Sequence, residues 1–261
     1  MFDASIIAAA QAHARACFPE ESCGLVTQSG YVPLKNVSPE PLEAFDCTDE
    51  AMPYIEAGHA LALIHSHPND GRRMRSVVDW PSASDMHAQI AMDIPWGIIT
   101  LDQNSISKPW FWGKGTPDVP LERRLFRHGP TGTDGKGDCY ALIRDWFRQQ
   151  RQVELPEFPR DWKWWEEKDK TKPGADAYEQ GFREAGFEPI SAHNVREGDC
   201  AMIAIPGNSG GAYIGMRINH AAVYVGAEKV LHHRAMSRSC IEHLGNWNKL
   251  IVRWVRHASA K

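Results

Sequence analysis

A chain of 261 residues with 43% hydrophobic content can bury one large core or two ordinary ones, and two compact domains is the expected arrangement. The formal net charge of -4, from 29 basic against 33 acidic residues, leaves no excess to hold the chain on nucleic acid or anionic lipid. No apolar run approaches the roughly 20 residues that cross a bilayer, and residues 1–16 carry Asp3, His13 and Arg15 without a basic leader region, so neither a membrane span nor a signal peptide is expected.

Residues 2–17 place Ile6, Ile7, Ala10 and Ala14 at helical spacing, and Pro19 stops the pattern ahead of a short strand at 23–26. Residues 60–64 read as a buried strand that ends at His65 and delivers polar side chains there. After a loop rich in Pro, Asn, Asp, Gly and Arg, the run Pro81-Ser82-Ala83-Ser84-Asp85 opens a helix with Ser82 or a neighbour as its cap, and Pro95 ends it before a strand at 97–101. This half is α/β. Between Ser105 and Asp138 the composition shifts to Lys, Pro, Gly and Thr, which places a boundary near residue 117 and gives domains 1–117 and 118–261. The second half opens with a helix at about 139–150 and continues with strand-like runs at 201–205, 221–225 and 229–232, an α+β pattern. Between them, Trp162, Trp164 and Trp165 stand in a charged stretch and read as aromatics wrapped onto a neighbouring core, in preference to a carbohydrate or partner contact.

The six cysteines, Cys17, Cys23, Cys47, Cys139, Cys200 and Cys240, show no CxxC pairing, so a reducing cytoplasm is expected rather than a disulfide framework or a zinc ribbon. Cys139 differs from the rest. It starts the amphipathic helix, where the positive end of the helix dipole favours thiolate. A catalytic thiol also needs an imidazole and a third polar group, and His220 opens one later strand while His232 lies in the next.

A hydrolytic zinc site wants three protein ligands and an open fourth position. His65-Ser66-His67 offers two imidazoles on the same side of one extended segment. Alone, such a pair is a weak signal. Preceded by Glu21-Ser22-Cys23-Gly24 and followed by Pro68 and Ser82-Ala83-Ser84-Asp85, it resembles the JAMM metalloproteases over about residues 1–112. The resemblance implies a cytidine deaminase-like sheet with helices, Zn2+ held by His65, His67 and Asp85, Glu21 taking a proton from the zinc-bound water, and Ser82 steadying the oxyanion. Glu20 is the adjacent alternative to Glu21. Ser76-Val77-Val78-Asp79 offers a second SxxD, so Asp79 and Ser76 compete with Asp85 and Ser82; Asp85 is preferred because it lies at the start of a helix.

Over about residues 120–256 the chain resembles the NlpC-type peptidases, with their papain-like α+β fold. That resemblance implies Cys139 as nucleophile, His220 as general base and acid, and His232 as the residue that orients it, with His233 the near alternative. The other five cysteines are then structural, without an imidazole partner. The two modules in this order resemble the two-headed peptidases of phage tail tips. They imply zinc-dependent peptide or isopeptide hydrolysis by the first domain and cleavage of peptidoglycan stem peptides by the second, serving tail assembly or wall penetration. The implied partners are other tail-tip proteins and bacterial peptidoglycan, and the implied locations are the host cytoplasm during assembly and the virion tail tip. A structural tail-tip component with one or both sites vestigial is the competing reading. A deubiquitinase-like signalling enzyme would account for the metal motif but not for Cys139 and His220.

Overall fold

Ala10 and Ala14, one turn apart, form the buried stripe of the first helix, α1 (Ala4–Cys17). The computed structural model of the chain describes residues 2–71, 78–167, 176–206, 208–209, 212–213 and 217–260. Its main division into two compact units falls between Pro117 and Asp118.

The first unit is built on β1 (Cys23–Thr27), β2 (Gly30–Leu34), β3 (Ala60–Pro68), β4 (Trp96–Leu101) and β5 (Trp110–Trp112), in the order β2-β1-β3-β4-β5. Helix α2 (Thr48–Glu56) precedes β3, and α3 (Ala83–Met92) is the crossover that lets β3 and β4 run parallel. All five residues of β1 are buried, as a strand flanked on both sides requires. The strand expected to stop at His65 instead continues to Pro68, because its ladder with β4 runs on through His67↔Thr100 and Pro68↔Leu101. Both histidines therefore stand within a paired strand and take their direction from its pleat.

In the second unit, α4 (Cys139–Arg151) and α5 (Ala177–Glu184) come first, followed by β6 (Phe187–Ile190), β7 (Cys200–Ile203), β8 (Asn208–Ser209), β9 (Ala212–Tyr213), β10 (His220–Tyr224), β11 (Lys229–His232), β12 (Cys240–His243) and β13 (Ile251–His257). The order β12-β11-β10-β7-β13-β6 makes a wholly antiparallel sheet, and β8 and β9 pair separately. Tyr140, Leu142, Ile143, Trp146 and Phe147 of α4 share one core with Cys200, Ala221, Val223 and Leu231 of the sheet. Trp164 belongs to that core, its ring centroid 5.0 Å from that of Tyr178, so the tryptophan-rich stretch does wrap onto a core. α5 can lie against Phe158 because residue 181 is glycine; a Cβ there would come within 2.3 Å of the Phe158 ring.

What fixes the start of α4 is a buried charge pair. Asp138, the N-cap, accepts hydrogen bonds from the backbone N–H of Ala141 at 3.0 Å and of Gly129 at 3.0 Å, which satisfies donors the helix cannot use itself. Arg160, its side chain 0% exposed, clamps the same carboxylate from Nε at 2.7 Å and Nη2 at 3.0 Å, and reaches Glu157 at 2.6 Å. Burial pushes the Asp138 carboxyl up, but the guanidinium and these N–H donors outweigh it and hold the group below its ordinary range.

A carboxyl depressed in the folded state stabilises the fold above its unfolded pKa, and that contribution is lost as pH falls through the folded value. Asp138→Asn should remove it and leave the buried Arg160 with Glu157 as its carboxylate partner, at a cost of about 3 kcal/mol in urea unfolding, the lower end for breaking a buried pair. Below about pH 4 the gap between the two proteins should narrow. A variant within 1 kcal/mol of the parent at neutral pH (roughly the measurement error of such a comparison) would remove this pair from its anchoring role.

Candidate active site

α4 carries Cys139 in its first turn, 4% exposed, and packs across β10 and β11. The sulfur meets the Tyr178 hydroxyl at 2.7 Å and the backbone N–H of Ala221, the residue after His220. The expected thiolate is not favoured in this resting state. Burial first, and then the Asp138 charge, push the thiol up from 9.0 to about 12, against the pull of Tyr178, Ala221 and Arg160. Burial, with the anionic N-cap adding to it, outweighs the helix dipole that favours thiolate.

His220 opens β10 and His232 closes β11, and the pairing Ala222↔His232 puts the two rings on one face as diagonal neighbours. His220 Nε2 lies 3.3 Å from His232 Nδ1. Trp247 packs on both, with ring centroids 5.5 Å from His220 and 4.5 Å from His232. Burial, reinforced by His232, His233 and Arg234, lowers the His220 pKa well below its ordinary value, so the imidazole is held neutral and able to accept a proton. Between the two neighbouring candidates, the geometry brings His232 to His220. His233 faces elsewhere, edge-on to Phe126 with centroids 5.4 Å apart.

Cys240 was expected to lack an imidazole partner, and this is corrected: its sulfur lies 3.6 Å from His232 Nε2 and 3.8 Å from Glu242 Oε1. The cause is the β11–β12 register, which sets His232 directly opposite Cys240. Sequence reasoning also passed over Tyr178, Arg160, Glu242 and Trp247. Glu242 carried a signal, since it lies two residues beyond Cys240 and so shares its face of the strand, but reading it required knowing that β12 exists.

His65 Nε2 and His67 Nε2, both on β3, converge to 3.1 Å, and the ligand atoms of His65, His67 and Asp85 lie within 4.8 Å of one another. His65 is fully buried and stacks on Phe45 with centroids 4.6 Å apart. His67 Nδ1 donates to the Val78 carbonyl at 2.9 Å, which fixes its tautomer and leaves Nε2 with a lone pair. Ser82 and Asp85 form a reciprocal cap at the start of α3: Ser82 N–H donates to Asp85 Oδ2 at 2.8 Å, and Asp85 N–H donates to Ser82 Oγ at 3.0 Å. Glu21 is 9% exposed, just ahead of β1, and the Cys23↔His65 register brings its backbone to the level of His67. Among the described residues the metal-capable group includes Asp85 and not Asp79; the competing Ser76, with the arginines around 72–75, lies outside the described residues.

Two curated relatives are similar to this chain. The tail tip assembly protein K of Escherichia phage N15 is 29% identical over 262 residues, covering 98% of this chain and 95% of the relative. Its namesake from Escherichia phage lambda is 29% identical over 185 residues, covering 67% and 70%. A crystal structure of an NLP/P60-family lipoprotein-like protein from Staphylococcus aureus covers 56% of this chain and 44% of its own, at 16% identity and a TM-score of 0.34. The sequence model of the NlpC/P60 family matches residues 108–256, more than half of the chain, a span that takes in the helix opening at Cys139 and the strands bearing His220 and His232: this chain belongs to the NlpC/P60 family.

Proposed function

We propose that the chain is a phage tail-tip peptidase whose second domain cleaves stem peptides of peptidoglycan with Cys139 as nucleophile, His220 as general base and acid, and His232 as the residue that orients His220. The observation that carries this reading is the alignment of a neutral, buried His220 with His232 at 3.3 Å, on a strand whose next N–H reaches the Cys139 sulfur. Family membership supports the thiol chemistry, and similarity along nearly the whole length to tail tip assembly protein K supports the tail setting, with other tail proteins as partners.

With the thiol and the imidazole both neutral at rest, proton transfer is coupled to attack. As the sulfur bonds to the substrate carbonyl carbon, its proton passes to His220, which returns it to the departing amine when the C–N bond breaks. Water then hydrolyses the thioester with His220 again as base. His232 Nδ1 accepts from His220 Nε2–H and holds the ring in the tautomer whose other nitrogen can take the proton. The Ala221 N–H supports the sulfur as negative charge develops on it.

The first domain is proposed as a JAMM-type zinc metallopeptidase. The donor set fits zinc: two imidazoles and a carboxylate leave a fourth position open, and tetrahedral ligands at the usual Zn–N length stand about 3.3 Å apart, close to the 3.1 Å between the two Nε2 atoms. Asp85 would supply the carboxylate ligand. A bound zinc would supply a water of lowered pKa. Glu21 would move the proton from that water to the leaving amine, and Ser82 would donate to the oxyanion.

The competing structural role is separated from the enzymatic one by mass spectrometry of purified peptidoglycan and tail proteins after incubation with the chain. Cys139→Ala should bring stem-peptide cleavage to background and His220→Ala should lower its rate by about 10²–10⁴-fold, while a chelator leaves it in place. Full cleavage by Cys139→Ala would overturn the thiol assignment. Metal analysis tests the other site: Asp85→Ala should bind one zinc fewer per chain than the parent and Asp79→Ala the same number. Zinc lost from the Asp79 variant alone would move the ligand, and with it the oxyanion role, to the Ser76–Asp79 segment.

A further inference from the structure

We infer that His232, Cys240 and Glu242 form a second divalent-metal site, of zinc type, which reversibly switches off the thiol peptidase by fixing its histidines in the wrong tautomer. The inference rests on the assignment of Cys139, His220 and His232 proposed above.

The three ligand atoms form a nearly equilateral triangle: Cys240 Sγ to His232 Nε2 3.6 Å, Cys240 Sγ to Glu242 Oε1 3.8 Å, and His232 Nε2 to Glu242 Oε1 3.6 Å. An N···O separation of 3.6 Å is too long for a hydrogen bond. It is the right size for a shared ion. A tetrahedral zinc with ordinary Zn–S, Zn–N and Zn–O lengths sets its ligands about 3.3–3.6 Å apart, so closure needs movements of only a few tenths of an ångström. Thiolate, imidazole and carboxylate together match a borderline-soft cation and not calcium or magnesium.

The site is also supported from behind. His232 and Cys240 are direct partners across the β11–β12 ladder, and Glu242 follows Cys240 on the same face. Trp247 Nε1–H donates to Glu242 Oε2 at 3.1 Å, which leaves Oε1 directed at the other two ligands. The His232 ring is buried, whereas Cys240 is partly exposed and the Glu242 side chain is 33% exposed, so an ion has access from solvent and a fourth position for water. Binding would release the Cys240 proton to solvent.

The coupling to catalysis is a matter of one proton. In the working state His232 Nδ1 is an acceptor, and its proton sits on Nε2. A metal on Nε2 displaces that proton, and the neutral ring then carries hydrogen on Nδ1, facing His220 Nε2 at 3.3 Å. His220 must accept there, so its own hydrogen moves to the other nitrogen, which can no longer take the proton of Cys139.

Cobalt separates this site from the His65–His67–Asp85 cluster, which has no sulfur ligand. Titration of the full chain with Co2+ should give a thiolate-to-cobalt charge-transfer band in the near ultraviolet, retained in Cys139→Ser and lost in Cys240→Ser. Glu242→Gln, at a partly exposed position that tolerates the change, should need more than about tenfold more Co2+ for half-saturation, the loss typical even of an outer-shell partner. Zinc should slow stem-peptide cleavage in the parent, and the half-inhibiting concentration should rise by a similar factor in Glu242→Gln, each protein measured against its own metal-free rate. No band in the parent, or a band that survives Cys240→Ser, overturns the site. A cobalt band with equal zinc sensitivity in parent and Glu242→Gln overturns the switch. A band in a chain that cleaves no peptidoglycan keeps the metal site and sinks the catalytic assignment beneath it.

Discussion

The pleat of the β-strand, in which alternate side chains share a face, is the constraint on which both sites depend. In the first unit it sends His65 and His67 to one side of β3, and the parallel ladder to β4 keeps that side fixed through both positions. In the second it collects His220, His232, Cys240 and Glu242 on one face of three neighbouring strands, because Ala222 faces His232 and His232 faces Cys240. A slip of one residue in either register would send half of these groups to the opposite face. The chemistry is therefore specified by strand pairing, and the apolar residues that hold the pairing, such as Ala221, Val223 and Leu231 under α4, are as much a part of the site as the polar ones.

The proposed nucleophile is placed by different physics. Cys139 comes from a helix, and the helix start is held by a carboxylate that is itself taken out of water. Burying Asp138 is tolerable only because Arg160 is buried with it and because backbone donors occupy the remaining lone pairs. The same arrangement sets the resting chemistry. Burial, and after it the anion beside the thiol, oppose a negative charge on sulfur and keep the proton on Cys139 at rest. A buried thiol kept protonated at rest is less open to oxidation than an exposed thiolate, while burial holds His220 neutral, the state its proposed role as base requires.

Much of this was legible in the sequence, and the parts that were not share a cause. Several features were readable: the helix that opens at Cys139, the Ser82–Asp85 cap, the pairing of His65 with His67, and the nearness of His220 to His232. β2, α2, β5, α5, β6, β12 and β13 were not foreseen, since each is short or half-exposed and takes its identity from a ladder or a core supplied by distant residues. Tyr178 shows the limit well. It lies 39 residues from Cys139, in an eight-residue helix, and only packing against Phe158 and Trp164 brings its hydroxyl to the sulfur. Cys240 shows it from the other side: nothing local distinguishes it from Cys17, and the cross-strand position of His232 alone gives it a partner.

The two metal proposals constrain one another. If the His65–His67–Asp85 cluster is to work while the thiol peptidase is also active, its zinc must bind more tightly than any ion at His232, Cys240 and Glu242, or both chemistries could not run in the same medium. The two proposals taken together require that order. His65 is fully buried against Phe45, and both imidazoles rise from one rigid strand, so little freedom is lost on binding. Each cluster has one buried and two partly exposed ligands, but at the second Cys240 and Glu242 lie on β12, the edge of its sheet, and the thiol must give up a proton before it can bind. Zinc at low concentration would then serve the first site alone. A rise in zinc would populate the second and silence the peptidase, so the two domains would respond to one ion with opposite sign.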